Sequence, residues 1–153
     1  MAIRAVLLLS LVLVTTPKAW SADANDLVRV LQSRRCANCR LVDADLVHAD
    51  LHDADLQGAE LQRANLGQAR LDGADLKGAD LSFTSLNGAS LRGADLRGSR
   101  LYGTDLRNSD LSGAQLAGAK LARAKGLTAE QLRQAETVQG AELPGLDLSL
   151  IHI

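Results

Sequence analysis

Leucine returns at every fifth residue through the middle of this chain, and a small residue precedes each leucine by two positions. The small residue is alanine in twelve repeats and Cys39, Thr84, Ser99, Thr104 or Ser109 in the other five. The seventeen leucines, which we predict to form the structural core, are Leu41, Leu46, Leu51, Leu56, Leu61, Leu66, Leu71, Leu76, Leu81, Leu86, Leu91, Leu96, Leu101, Leu106, Leu111, Leu116 and Leu121.

A period of five residues fits neither regular element. On an α-helix the leucines would advance by about 140° net per repeat and spiral around the axis. In a continuous strand, successive leucines would point to opposite faces. A chain that turns a corner every five residues keeps its leucines inward, and four such sides close a square coil of twenty residues. Stacked coils would lie about 4.8 Å apart and pair as in a parallel sheet.

The repeated unit Ala-Asp-Leu-x-x resembles the pentapeptide-repeat family. It occurs as Ala44-Asp45-Leu46, Ala54-Asp55-Leu56, Ala74-Asp75-Leu76, Ala79-Asp80-Leu81 and Ala94-Asp95-Leu96. The resemblance covers residues 39–123, in seventeen repeats and about four coils. It implies an all-β solenoid, a right-handed quadrilateral parallel β-helix of pentapeptide repeats. Glycine stands two positions after leucine in nine repeats, which suits corners that need positive φ.

A stack of coils has an open apolar end on each side, and repeat proteins close such ends with atypical terminal units. We therefore expect short helical caps at both ends, in residues 22–38 and 124–147. In the first cap, Asn25 is predicted to begin a helix over 26–34 that turns Leu27, Val30 and Leu31 inward. In the second, Thr128 to Gln131 resembles a capping box that opens a helix to about Glu136 with Leu132 inward. A loop or a further edge segment follows from Val138.

Residues 1–21 have the pattern of a secretory signal peptide. Arg4 precedes the apolar run 5–14, and Ala19-Trp20-Ser21 is a small-x-small cleavage site, with Ala22-Asp23-Ala24 as the alternative. The run is too short to span a bilayer, so we expect a periplasmic or secreted bacterial protein with no stable membrane insertion after cleavage. An uncleaved apolar anchor is the other interpretation. Residues 148–153 resemble an in-frame translation of a transposon-end sequencing adapter, in which case His152 has no function.

Cys36 and Cys39 form the one motif with redox or metal chemistry. Counted back in fives, Cys36 falls on a leucine position and Cys39 on a small-residue position, so both should point inward. Two small apolar core residues, a disulfide in an oxidising compartment, and a reactive dithiol are the three interpretations. A haem attachment site is excluded because residue 40 is arginine, and a structural zinc site needs two more ligands.

Outward positions are mostly charged or small. Phe83 and Tyr102 fall on the same side in successive coils and in adjacent columns, so they can touch and form the one apolar spot on the surface of the repeats, a candidate partner contact. His48 and His52 lie among aspartates, and we interpret them as solvated surface residues rather than metal ligands. Residues 41–60 hold six acids and no lysine or arginine, whereas residues 86–125 hold three acids and seven bases. One end is acidic and the other basic.

The sequence contains no nucleophile with a base, no phosphate-binding loop and no basic stripe with stacking aromatics. We therefore expect a protein that has no catalytic residues and holds no metal or cofactor. We expect its partner to be another protein, or a second copy of itself in a homodimer, and not a nucleic acid. The first hypothesis is an exported scaffold or interaction module. The alternatives are a DNA-mimicking topoisomerase-binding protein of the quinolone-resistance type, as some members of the resembled family are, and a redox or metal protein that uses the two cysteines.

Overall fold

The computed structural model describes residues 21–145. Two α-helices, α1 (Ala24–Ser33) and α2 (Ala129–Gln134), flank the repeats. The predicted signal peptide, apart from Ser21, and the predicted adapter-like end lie outside the described residues. Within the described part, no helix has the length and apolar content needed to cross a membrane.

The repeats form coils that pair in parallel at a spacing of twenty residues. Parallel bridges join Arg35 to Asp55, Arg40 to Glu60 and so on to Asp105 with Lys125. At each bridge the chain pairs on both sides: the Leu41 amide donates to the Glu60 carbonyl at 2.7 Å, and the Glu60 amide donates to the Cys39 carbonyl at 2.8 Å. Stacking these pairs places equivalent positions of successive coils in columns.

Each pentad ends in a β-turn that makes one corner of the coil. The Ala44 amide, for example, donates to the Leu41 carbonyl at 3.1 Å, and Asp43 between them has φ 58°. A positive φ at the third turn residue is the arrangement of a type II turn. Because a turn takes part of every pentad, each side contributes one bridge residue. The predicted β-helix therefore contains isolated bridges, and residues 21–145 include no continuous strand.

The interior is a column of leucine. All seventeen repeat leucines are buried, with exposures of 0% to 2%. Each contributes roughly 1.5 to 3 kcal/mol by leaving water. Where the small position carries a hydroxyl, a carbonyl accepts its hydrogen: Thr84 Oγ1 donates to Leu61 O at 2.6 Å and Ser99 Oγ to Leu96 O at 2.7 Å. These polar residues are therefore buried without losing a hydrogen bond.

The start of α1 differs from the prediction. Its N-cap is Asp23 and not Asn25, because the Asp23 carboxylate accepts from the Asn25 amide at 2.8 Å and the Asp23 amide is itself tied to the Arg40 carbonyl. Leu31 is also not inward; it is 53% exposed, whereas Val30 is buried. The Arg40 amide donates to the Asp26 carboxylate at 2.8 Å, and Asp26 and Val30 lie on the face of the helix toward the coils.

The coils extend beyond the predicted limits of residues 39–123. At the N-terminal end, Arg35 already pairs with Asp55 because Cys36 occupies a leucine position. At the other end, Lys125 pairs with Asp105, and the chain returns after α2 to pair Thr137 with Gln115 and Glu142 with Lys120.

The capping box at α2 is confirmed, and Leu132 is buried. The helix stops at Gln134, short of the predicted Glu136, because the Glu136 amide donates to the Ala114 carbonyl instead.

Candidate partner-binding surface

Phe83 occupies a corner position that is costly for a large side chain. Nine repeats place glycine at this corner, and Phe83 has φ 59°. Left-handed backbone costs an L-residue with a Cβ about 1 to 2 kcal/mol, which asparagine and aspartate partly offset with local hydrogen bonds that phenylalanine cannot make. The Phe83 ring is nevertheless 59% exposed. His48, Arg63, Gln68 and Arg123 take the same conformation, so Phe83 differs from them in being apolar.

The ring of Phe83 lies against the backbone of the next coil. A Cβ placed on Gly103 would be 2.9 Å from two ring carbons of Phe83, closer than carbon atoms approach. Gly103 itself is buried under the ring, with φ 66°. Glycine at position 103 thus provides the space in which the Phe83 ring rests.

Tyr102 completes an aromatic pair with Phe83. The ring centroids are 5.5 Å apart and the planes are inclined at 78°, an edge-to-face contact. Tyr102 is 39% exposed, and Arg123 Nη1 donates to its hydroxyl oxygen at 3.2 Å. The predicted contact between the two rings is confirmed. The prediction that they form the one apolar spot of the repeats is wrong, because Val47 is also 40% exposed.

Basic side chains surround the aromatic pair. Arg100 and Lys120 lie in one bridged column next to Tyr102, and Arg123 reaches its hydroxyl. We call Phe83, Arg100, Tyr102, Lys120 and Arg123 the aromatic patch. These three cations are exposed, and two of them make only long ion pairs, Arg100 with Asp80 at 3.6 Å and Lys120 with Glu142 at 4.0 Å.

Asp80 is the acid next to the aromatic patch, and it is held ionised. Partial burial raises its pKa, but hydrogen bonds from Ser82 and Gln62 and the charge of Arg100 together bring the pKa below its usual value. The Ser82 amide donates to Asp80 Oδ1 at 3.0 Å. The carboxylate is therefore already satisfied by the chain itself, and Arg100 remains the more exposed partner, with 66% of its side chain accessible.

Cys36 and Cys39 are both buried and are joined by a disulfide with their Cα atoms 5.1 Å apart. Arg29 of α1 contacts Cys39 Sγ and pairs with Asp26 at 3.3 Å. Among residues 21–145, Asp26 and the two cysteines form the one group with three metal-ligating atoms within 4.8 Å of one another. In this oxidised form, neither sulfur is a thiolate ligand.

His48 is exposed, whereas His52 belongs to a charged network that the spacing did not predict. His52 Nδ1 lies 2.7 Å from Asp50 Oδ1, and Arg34 contacts His52 Nε2 at 3.0 Å and Asp50 Oδ2 at 3.0 Å. The hydrogen bond to His52, with the charges of Arg34 and Arg70, lowers the pKa of Asp50. Since Arg34 is the C-cap of α1, this network ties the helix to the first coil.

A polar cavity of about 390 Å³ lies beside α2. Arg107, Gln131 and the backbone around Gly126 form its walls. Arg107 forms an ion pair with Asp105 at 2.6 Å, and Gln131 Nε2 donates to the Leu106 and Ser109 carbonyls. The lining contains no acid, histidine or cysteine that would serve as a base or a metal ligand.

Comparison with known proteins gives a family match over most of the described chain. The model of pentapeptide repeats matches in eight copies over residues 35–73, 59–98, 74–113 and 89–125. No curated protein matches.

Among solved structures, the chain is similar to Rfr23 from the cyanobacterium Cyanothece 51142, with 26% identity and a TM-score of 0.53 over 79% of this chain and 91% of that one. It is also similar to alr5209 from Nostoc Pcc 7120, with 31% identity and a TM-score of 0.45 over 84% and 91%. QnrB1, a plasmid-mediated fluoroquinolone resistance protein, is 20% identical with a TM-score of 0.48 over 72% and 61%. The family match and the similarity to Rfr23 imply a right-handed β-helix, and the chain belongs to the pentapeptide-repeat family.

Proposed function

We propose that this protein is a non-enzymatic, exported scaffold or interaction module that binds another protein through the aromatic patch. The observation that carries the proposal is the exposed edge-to-face pair of Phe83 and Tyr102, in which Phe83 is the one apolar side chain among the described non-glycine residues with positive φ. Exposed aromatic and arginine side chains are also the residues that contribute most to protein interfaces.

The finer architecture supports such a role. We infer a four-sided, right-handed coil closed by α1 at one end and by α2 at the other. Its leucine interior leaves no space for a substrate, so recognition falls to the outer sides. The hydrogen bonds between coils hold each side rigid, and a rigid surface loses little conformational entropy when it binds.

The DNA-mimic alternative has less support. A mimic of DNA needs a broadly acidic surface, but the aromatic patch carries Arg100, Lys120 and Arg123. The similarity to QnrB1, at 20% identity, extends to the fold alone. For the redox alternative, thiol exchange requires an accessible sulfur, and both Cys36 and Cys39 are buried.

Site-specific photo-crosslinking in cells tests the proposal. A benzophenone amino acid replaces Phe83 in the full chain, and the matched control carries it at Asn108, another exposed corner residue with positive φ. We expect position 83 to crosslink to a discrete protein and position 108 to give no such product. Fractionation of the same cells should place a processed form in the periplasm or the medium. Equal crosslinking from both positions would refute a specific surface, and an unprocessed cytoplasmic protein bound to a topoisomerase would refute export and favour the mimic.

A further inference from the structure

We propose that the aromatic patch selects an acidic, extended segment of its partner protein, with an apolar residue seated on Phe83 and Tyr102. This inference rests on the function proposed above and adds the chemistry of the partner. Its first support is the sign of the local charge. The whole chain has a net charge of −1, yet Arg123 contacts Tyr102, and Arg100 and Lys120 pair in the neighbouring column.

The acids nearby do not cancel this charge for a ligand. Asp80 is half-buried and engaged by its own chain, so its carboxylate faces Ser82 and Arg100. Glu142 lies 4.0 Å from Lys120, a loose contact that an incoming carboxylate can replace. Arg123 donates to Tyr102, and its guanidinium has further N–H groups for a carboxylate. The patch therefore offers three cations to a negatively charged partner.

The dimensions favour a segment over a second copy. The side that carries the patch is five coils high, about 24 Å at a coil spacing near 4.8 Å. A stable interface involves about 20 to 30 residues on each partner, whereas the aromatic patch has five, so a second copy would have to cover much of the chain around the patch. An extended peptide along the side needs much less area.

The aromatic pair is also unsuited to nucleic acid. Single-stranded nucleic acid is bound by several aromatic faces that stack successive bases in a basic groove. Here the two rings meet edge to face, so the edge of one covers part of the other's surface. The pair therefore presents no open ring faces on which successive bases could stack. Carboxylates on a peptide can contact the three cations without stacking on the rings.

Tyr102 provides a direct signal for the test. The chain has one tyrosine and one tryptophan, so the full chain with Trp20→Leu keeps Tyr102 as its only fluorophore. The probe is a synthetic twelve-residue peptide of alternating glutamate and glycine with two central leucines, titrated into this protein. Its controls are the same peptide with lysine in place of glutamate, one without leucine, and a twelve-base oligothymidine.

We expect the acidic leucine peptide to change Tyr102 fluorescence and the lysine peptide to leave it unchanged. Phe83→Gly and the pair Arg100→Gln with Arg123→Gln should each weaken binding at least about tenfold, the equivalent of 1.4 kcal/mol. Phe83→Gly should fold normally, because glycine is the usual residue at this corner. Asn108→Gly, the matched corner substitution on another side, should leave binding unchanged.

The inference is overturned if the acidic peptide fails to bind below about 1 mM, if the lysine peptide or oligothymidine binds more tightly, or if Asn108→Gly weakens binding as much as Phe83→Gly. The proposed function fails separately. A discrete crosslink from position 83 to a neutral or basic segment would keep the binding module and reject the acidic partner. Absence of both the crosslink and peptide binding would reject both.

Discussion

The inward and outward positions of each pentad differ in how much their residue type varies. Leu91 and Arg92 are adjacent in the chain, yet the leucine is fully buried and the arginine side chain is 67% exposed. Every inward position is a leucine, a small residue or one of the two cysteines, whereas the outward columns vary from coil to coil. The inside is repeated because it must fill the same space in every coil. On the outside, the sequence is constrained at the corners, where φ is positive, and where a contact crosses coils, as between Phe83 and Gly103.

Substitution of adjacent residues tests this contrast most strongly. Leu91→Ala should reduce the free energy of unfolding by about 2 to 5 kcal/mol, because it leaves a cavity in a central coil that cannot fray. Arg92→Ala should change it by less than about 0.5 kcal/mol. Chemical denaturation followed by circular dichroism measures both. Similar losses for the two variants would mean that the outer columns also hold the fold together.

Reduction of the disulfide between Cys36 and Cys39 tests how much this covalent bond stabilises the interior of the first coil. Reduction should lower the stability of the oxidised protein by about 2 kcal/mol, the chain-entropy value for so short a loop. The variant with Cys36→Leu and Cys39→Ala restores the repeat pattern and serves as control, since a reductant should not alter its melting temperature. If the reductant has no effect on the unsubstituted protein, the disulfide contributes nothing to the fold.

Gly78 and Gly103 have the same backbone conformation, so alanine substitutions at the two positions distinguish the steric effect of Phe83 from the strain of a positive φ. Gly78 has φ 64° with nothing within 4 Å of an added Cβ, whereas the Cβ at Gly103 would meet the Phe83 ring. Gly78→Ala should cost about 1 kcal/mol from backbone strain alone, and Gly103→Ala should cost more. In a protein that also carries Phe83→Gly, the loss of unfolding free energy caused by Gly103→Ala should decrease to that caused by Gly78→Ala. Equal costs at the two glycines in the unsubstituted protein would show that the ring moves aside freely.

Acid should weaken the ion pairs on the surface without changing the leucine interior, and we expect this to be the smallest change in stability among these predictions. Hydrogen bonds from Arg97 and Arg107 lower the pKa values of Asp95 and Asp105 in the folded protein. Because the folded pKa is depressed, this stability is complete above the unfolded value near 3.9 and is lost as the pH falls through the folded value. The melting temperature should therefore be level between about pH 7 and pH 5 and fall below about pH 4.

Substitution of both arginines by glutamine should reduce this acid-dependent fall. A variant as acid-sensitive as the unsubstituted protein would show that other carboxylates are responsible. Asp50, whose pKa is lowered through His52, is the first of these to substitute.

The sequence predicted the features that follow from the five-residue period, and it did not predict those that depend on individual side-chain contacts. The leucine interval was sufficient for the coil, its twenty-residue spacing and the meeting of Phe83 with Tyr102, since these follow from stacking. The prediction that Leu31 shares the inner face of α1 with Val30 was wrong, because contacts between the helix and the first coil, such as that from the Arg40 amide to Asp26, have no period in the sequence. The network of Arg34, Asp50 and His52 was also missed, since it joins a helix end to a coil side and has no period.

An insertion or deletion of a single pentad in this chain changes the side of the coil on which all later residues lie. Because twenty residues return the backbone to the same side, one added pentad leaves every leucine inside but turns all later residues by a quarter of a revolution. A pentad inserted between Phe83 and Tyr102 would keep the interior filled and move the tyrosine onto the next side, away from its ring partner. Growth by whole coils lengthens the protein and preserves its sides, whereas growth by single pentads creates a new combination of surface residues on an unchanged core.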